Sequence, residues 1–287
     1  MKPEIQIVAD AEALCRAGAA EFVRRAGEAV QAKGACTVAL SGGSTPEGLY
    51  ELLASDPTFR GQVPWEKIHL FWGDERHVPP DHADSNYRMA DEAMVSKAPI
   101  PRANVHRIKS ENPDASKAAE DYEQTLRAFF HLTAGQFPRF DLVFLGLGPE
   151  AHTASLFPGT KALHEMGRLV VSTWVGKFYT DRITMTPPTL NNAACIIFLV
   201  SGDDKALPLK AVLEGNYEPE QLPAQLIRPS HGKLLWLVDL PPSQLLNGGR
   251  KTAAVSGAIV RRICQNGAVN TVVFFLTGTV VSFTMPF

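Results

Sequence analysis

The run DLVFLGLG at residues 141–148 constrains this chain more than any other stretch. After Asp141 it is apolar at every position, so both faces of the strand it predicts must be buried. That is the position of a central strand in a parallel sheet covered by helices. Residues 35–40 (ACTVAL), 67–72 (KIHLFW) and 194–200 (ACIIFLV) are of similar type, and 168–173 and 234–238 are further strand candidates. Helical patterns lie between them: residues 10–33 with Asp10 as N-cap, Pro46 onward (PEGLYELLA), 114–130, and a helix starting near Asp203 or Asp204. This alternation predicts an α/β chain with a mostly parallel sheet flanked by helices.

No repeat or low-complexity linker divides residues 1–240, which predicts one domain there. The composition changes after about Pro241, to NGGRKTAAVSGAIVRRICQNG, and residues 241–287 are set apart as an extension without an assigned role. Within it TVVFFLTGTVVSFTMPF, residues 271–287, is interrupted by Thr277, Gly278 and Thr279 and is short for a membrane span. It reads as strand-like and buried or paired. A formal net charge of -2 supplies no broad basic field, so neither nucleic acid nor a membrane is an expected partner. Cys15, Cys36, Cys195 and Cys264 are scattered, without a CxxC pair, and the first residues lack a signal-peptide pattern. Buried thiols in a cytoplasmic protein are the expectation.

With little net charge, any bound anion must be held locally. The segment VALSGGSTPEGL places Ser41, Gly42, Gly43, Ser44 and Thr45 between a strand and a helix. Glycines allow close backbone approach, two hydroxyls face the loop, and Pro46 suits the first helical turn. Free N–H groups and the positive end of the helix dipole then make a phosphate cradle. The bland alternative is a tight strand-to-helix turn. It is not a Walker A loop, because Leu49 and Tyr50 follow Gly48 where Lys and Ser/Thr belong.

The apolar strand at 141–148 delivers Glu150 and His152 into the turn beyond its carboxyl end, where open α/β sheets bind ligands. A lone histidine is more often structural, but this placement favours function. GLGPEA in the same stretch fits a dinucleotide fingerprint. The expected acidic residue about 20 positions on is missing from RLVVSTW, and Phe157-Pro158 would cut the helix short. No G-x-S-x-G elbow, HExxH helix or clustered Cys/His metal set is present.

WGDERHVPPDHADSNYRMA, residues 72–90, crowds Asp74, Glu75, Arg76 and His77 after a strand, and its bland reading is a solvated loop with surface ion pairs. Arg182 in YTDRITMTPP and Lys205 in VSGDDKA are unremarkable separately. Lys205, however, follows an apolar strand as His152 does. Groups at the same edge of one sheet would share a pocket in which an Arg fork and a Lys point charge suit phosphate.

SGGSTPEGLY, WGDERHVPPDHADSNYRMA, GLGPEAHTASLFPGT, DRITMTPPTLNNA and VSGDDKA, in that order, resemble the glucosamine-6-phosphate isomerase/6-phosphogluconolactonase family, over roughly residues 5–240. HTASLFP matches its lactonase form, whereas the deaminases continue differently after the histidine. The resemblance implies a Rossmann-like α/β fold of the sugar-phosphate isomerase/lactonase type. It also implies 6-phospho-D-glucono-1,5-lactone as substrate and 6-phosphogluconate as product, in the oxidative branch of the pentose phosphate pathway. By resemblance, Ser41, Gly42, Gly43, Ser44 and Thr45 with Arg182 and Lys205 form the phosphate grip. Asp74 and Arg76 belong to the pocket, and His152 is the catalytic base. The family usually has Asp-Gly directly before this histidine, and this chain has Glu150-Ala151. The longer carboxylate can still orient the imidazole. If the backbone there needs positive φ, the alanine is strained by about 1 kcal/mol or more.

A δ-lactone is an activated ester, so attack of water assisted by neutral His152 requires no covalent nucleophile, metal or organic cofactor. Arg76 or backbone N–H groups are candidate oxyanion donors. Rival readings are a glucosamine-6-phosphate deaminase-like enzyme and a non-catalytic sugar-phosphate sensor. A sugar phosphate lactone is the expected partner of a monomer or small homo-oligomer.

Overall fold

The computed structural model describes residues 3–246, and the backbone of 259–262, 271–276 and 279–284. Residues 247–258, Cys264 and the Thr277-Gly278 interruption lie outside the described residues.

Thirteen strands are present among the described residues. They are β1 (Glu4–Val8), β2 (Cys36–Leu40), β3 (Ile68–Trp72), β4 (Asp74–Arg76), β5 (Val105–His106), β6 (Leu142–Gly146), β7 (Val170–Val175), β8 (Thr180–Met185), β9 (Cys195–Val200), β10 (Lys233–Asp239), β11 (Ile259–Arg262), β12 (Thr271–Leu276) and β13 (Thr279–Thr284). Seven of them form the parallel part of the main sheet, in the order β5-β3-β2-β6-β9-β10-β1. The chain builds outward from β2 through β3 to β5, then crosses back to β6 and builds the other way through β9 to β10. The order therefore reverses between β2 and β6, and a crevice at their carboxyl ends is where such sheets take ligands.

The apolar runs fall where expected: every residue of β2 and β9 is buried, as are Leu142 to Leu145 of β6. Phe198 and Trp236 stack at 3.8 Å on adjacent strands. The long helix Ala11–Lys33 lays Leu14, Phe22 and Ala26 on the sheet, with Phe22 stacked on Phe144. Each large side chain so buried contributes about 1.5–3 kcal/mol of hydrophobic stabilisation. Asp10 caps that helix as expected, accepting from the Ala13 N–H at 2.8 Å, and Gly34 ends it in the left-handed region.

Three findings depart from the sequence reading. The candidate at 168–173 is β7 of a separate antiparallel sheet, ordered β4-β8-β7. The segment read as a solvated loop contains β4, whose Asp74 and Glu75 are buried. The helix after the cradle starts at Ser44, ahead of Pro46. Beyond residue 246, β11 pairs antiparallel with β1, and β12 and β13 follow in sequence, so the backbone there extends the same sheet. Cys36 and Cys195 are buried free thiols, and Cys15 is half-buried. No helix among the described residues is long and apolar enough to cross a membrane.

Candidate active site

Strands β2, β3, β6 and β9 all end at the same edge of the sheet, and each hands over to a segment carrying a candidate residue. At the end of β2 the ladder stops at Ser41, whose N–H and C=O would be orphaned in a buried place. Tyr50 on the following helix resolves both: its hydroxyl accepts from the Ser41 N–H at 2.9 Å and donates to the Ser41 carbonyl at 3.0 Å. Burial pushes the Tyr50 phenol well above its ordinary pKa, so it stays a hydroxyl. Tyr122 repeats the device at the end of β3, bridging the N–H and C=O of Trp72 at 2.9 and 3.1 Å.

Next comes the cradle. A Cβ on Gly42 would lie 1.8 Å from Oδ1 of Asn86, so any larger residue there would displace the buried Asn86 side chain. Gly43 stands at the N-cap of helix Ser44–Ser55 without a side-chain cap, which leaves the first-turn N–H groups and the dipole turned toward the loop. Ser44 is exposed and Thr45 half-buried.

Asp74 enters from β4 and is 7% exposed. Ser155 Oγ donates to its Oδ2 at 2.6 Å, and Asn86 Nδ2 donates to its backbone oxygen at 2.9 Å. The adjacent Glu75 is 1% exposed and accepts from the N–H groups of Arg76, Asn86 and Tyr87 and from Ser85 Oγ, at 2.7–3.1 Å. Burial raises its pKa against the pull of those donors. Glu75 thus folds residues 76–87 around itself. Arg76 and Arg182 are cross-strand partners of β4 and β8, two like charges side by side. Burial first, then the Arg76 charge, lower the pKa of Arg182, a pair that a bound anion would relieve.

His152 sits in the tight turn after β6. The Gly148 N–H donates to the His152 carbonyl at 2.9 Å, and a Cβ on Gly148 would lie 1.9 Å from the imidazole, so the ring packs directly on that glycine. Its other side stacks on Phe157, with ring centroids 4.0 Å apart. Nδ1 lies 3.1 Å from Glu150 Oε2. A carboxylate only accepts, so the proton of the neutral ring belongs on Nδ1 and Nε2 carries the free lone pair. Burial pushes the His152 pKa down to about 4. Asp74 acts upward on it, while Lys205, Arg76 and Arg182 act downward, so these charges gather around one imidazole. Ala151, buried, adopts φ 55°, the left-handed conformation expected from the missing glycine. Lys205 follows Ser201 and Gly202 at the end of β9, and its Nζ donates to Asp204 at 2.6 Å.

The loops after β2, β6 and β9 bring Ser41–Thr45, Glu150, His152 and Lys205 to one edge of the main sheet. Asp74, Arg76 and Arg182 come from the separate antiparallel sheet, and Asp74, Arg76, Arg182 and Lys205 all act on His152. Sequence reasoning missed Tyr50, Tyr122, Asn86 and Ser155, whose partners are 9 to 81 residues away and leave no local pattern. No group of three or more His, Cys, Asp or Glu that could hold a metal ion is found among the described residues.

A family model described as glucosamine-6-phosphate isomerases/6-phosphogluconolactonase matches residues 9–236. The chain belongs to that family. It is 43% identical over 239 residues to a 6-phosphogluconolactonase of Synechocystis, covering 83% of this chain and 96% of that relative. It is 41% identical over a stretch of the same length to one from Nostoc. Among solved structures, the 6-phosphogluconolactonase from Trypanosoma brucei superposes with a TM-score of 0.76 at 29% identity, over 85% of this chain and 98% of that one. A monomeric glucosamine-6-phosphate deaminase gives a TM-score of 0.71 at 21% identity, over 85% and 100%, a likeness of fold alone. The Rossmann-like architecture of this family is the one observed here, and the strand order reverses between β2 and β6, the strand that leads into the His152 turn.

Proposed function

We propose that this site grips the phosphate of a sugar-phosphate lactone and opens its ring with water activated by His152. The chain is a lactone-hydrolysing hydrolase of its family, and the reaction is conversion of 6-phospho-D-glucono-1,5-lactone to 6-phosphogluconate. The observation that carries the mechanism is the setting of His152: burial pushes its pKa down to about 4, Nδ1 faces Glu150 Oε2, and the charges of Asp74, Arg76, Arg182 and Lys205 act on the ring.

In this reading the Ser41–Thr45 loop, Arg182 and Lys205 hold the phosphate. Fixing that remote group places C1 against the attacking water, so binding energy is used for orientation. Nε2 takes the water proton as the oxygen attacks C1. The carbonyl oxygen becomes an oxyanion, stabilised by Arg76 or backbone N–H groups. The C1–O5 bond then breaks, O5 takes a proton and the carboxylate is released. Phosphate binding neutralises the cations that depress the His152 pKa, so the base becomes stronger once substrate is bound. The enzyme acts in the cytoplasm as a monomer or small homo-oligomer, on a small molecule and without nucleic acid.

Acid release from freshly made lactone, corrected for spontaneous hydrolysis, tests this with wild type and His152→Ala side by side. Wild type accelerates, and the variant loses about 10²–10⁴-fold in kcat. Wild-type turnover in the variant would overturn the base assignment. No acceleration by folded wild type would favour a sugar-phosphate sensor.

A further inference from the structure

The carboxylate that orients His152 is itself held. Glu150 is one methylene longer than the family's usual aspartate and has one more torsion to fix. One of its oxygens, Oε2, faces Nδ1 of His152, and the other, Oε1, is taken by Nζ of Lys177. Lys177 lies in the turn between β7 and β8, Gly176–Phe178, which ends at Tyr179 with φ 49°. Its neighbour Phe178 packs edge-on against Phe157, with centroids 5.8 Å apart, and Phe157 is the ring stacked on His152. Lys177 and Arg182 lie 5.4 and 5.3 Å from the Phe178 ring centroid. The turn therefore reaches the histidine along two routes, through an ion pair and through a stack of rings.

We infer that Lys177 is a positioning residue for the reaction proposed above, fixing the His152 tautomer through Glu150. The inference rests on that reading for its catalytic consequence only. Two physical effects support it. Tethering the far oxygen removes the extra freedom of the longer side chain, so the near oxygen stays in line with Nδ1–H. The ammonium also offsets the Glu150 charge, so the carboxylate can fix the tautomer without driving the histidine toward protonation. A base of low pKa with the lone pair on Nε2 is the combined result.

The test uses full-length Lys177→Met, which keeps the length and loses the charge, and Lys177→Arg, which keeps the charge. Ring ¹⁵N shifts of His152 in the ligand-free proteins, with kcat and KM on the lactone, form the readout. In wild type Nδ1 carries the proton. In Lys177→Met the expected outcomes are a mixed tautomer, a higher His152 pKa, and a kcat down about tenfold with KM within twofold. Lys177→Arg should restore all three. An unchanged tautomer and kcat in Lys177→Met would overturn the inference, as would a raised KM with full kcat, which would make Lys177 a substrate contact. The ¹⁵N measurement needs no turnover. A tautomer change in a protein that fails to hydrolyse the lactone would defeat the functional reading and leave the role of Lys177 standing.

Discussion

The proton affinity of His152 is the most exposed link in the argument. Its ring is buried between Gly148 and Phe157, with Lys205, Arg76 and Arg182 all opposing a positive charge there, and its pKa is pushed down to about 4. The unfolded chain binds the same proton near 6.5, so as pH falls below that value the unfolded state is protonated first and stability is lost. The sign follows from a depressed pKa in the folded state: neutral pH leaves stability intact, and the loss accumulates between about 6.5 and 4. Across the whole window it is on the order of 3 kcal/mol, since the folded ring binds its proton near 4 and the unfolded chain near 6.5. His106 is also pushed down to about 4, by burial and then by the His69 charge, so wild type alone does not isolate His152. His152→Gln removes one contribution and leaves the other. Chemical denaturation of both proteins should show their stability difference changing by about 2–3 kcal/mol between pH 7.5 and 4.5, to the disadvantage of wild type at low pH. The histidine resonance absent from the variant should titrate near 4 in the free protein. It should move upward when inorganic phosphate is added, because phosphate offsets the charges of Arg182 and Lys205. A resonance titrating at 6.5 or above, or a stability difference independent of pH, would refute the reasoning.

Other perturbations examine the packing around the same ring. Gly148→Ala puts a Cβ 1.9 Å from the imidazole, so the ring must move; kcat should fall about 10²-fold with KM nearly unchanged, and wild-type kcat would show that the ring position is not critical. Arg182→Ala and Lys205→Ala each remove a charge proposed for the phosphate grip and should raise KM about ten- to a hundredfold, and an unchanged KM in both would remove them from it. Ala151→Gly relieves a left-handed alanine at φ 55° but exposes a cavity the size of its buried methyl. The two effects nearly cancel, so thermal or denaturant unfolding should move by less than about 1 kcal/mol, and a loss above 2 kcal/mol would contradict the balance.

What the sequence makes legible here follows from what each segment buries. β2, β6 and β9 have apolar side chains on both faces because helices cover the sheet on both sides, and a continuous apolar run can be read without knowing its partners. The cradle is equally local, since Gly-Gly-Ser-Thr-Pro fits only a few backbone paths. β4 was illegible for the opposite reason. Its residues are Asp74, Glu75 and Arg76, and hydrophobic periodicity gives such a run to solvent. Glu75 is nevertheless almost wholly buried, because the N–H groups of the loop it organises replace water around the carboxylate. That exchange depends on residues up to 12 positions away. β8 alternates less clearly still, and its pairing with β4, which sets Arg182 opposite Arg76, has no local signature in the sequence.

The Glu150-Ala151 departure can now be weighed in energy. An alanine in the left-handed region costs about 1–2 kcal/mol. Against this, its methyl is buried, which is worth about 0.8 kcal/mol, and alanine restricts the unfolded chain by a further 0.4–1 kcal/mol relative to glycine. The turn is also closed by hydrogen bonds that glycine would not improve: Ala151 N–H to the Gly148 carbonyl at 3.0 Å, and Ala224 N–H to the Ala151 carbonyl at 2.9 Å. The backbone consequence of the alanine is therefore small. The glutamate's consequence is a matter of reach, since its additional torsion would let the carboxylate leave the imidazole. Lys177 on one oxygen and His152 on the other take up that freedom. The two changes thus lie next to each other in sequence but are compensated by unrelated parts of the fold, the turn's own hydrogen bonds and the β7–β8 hairpin, and the histidine they flank keeps its place.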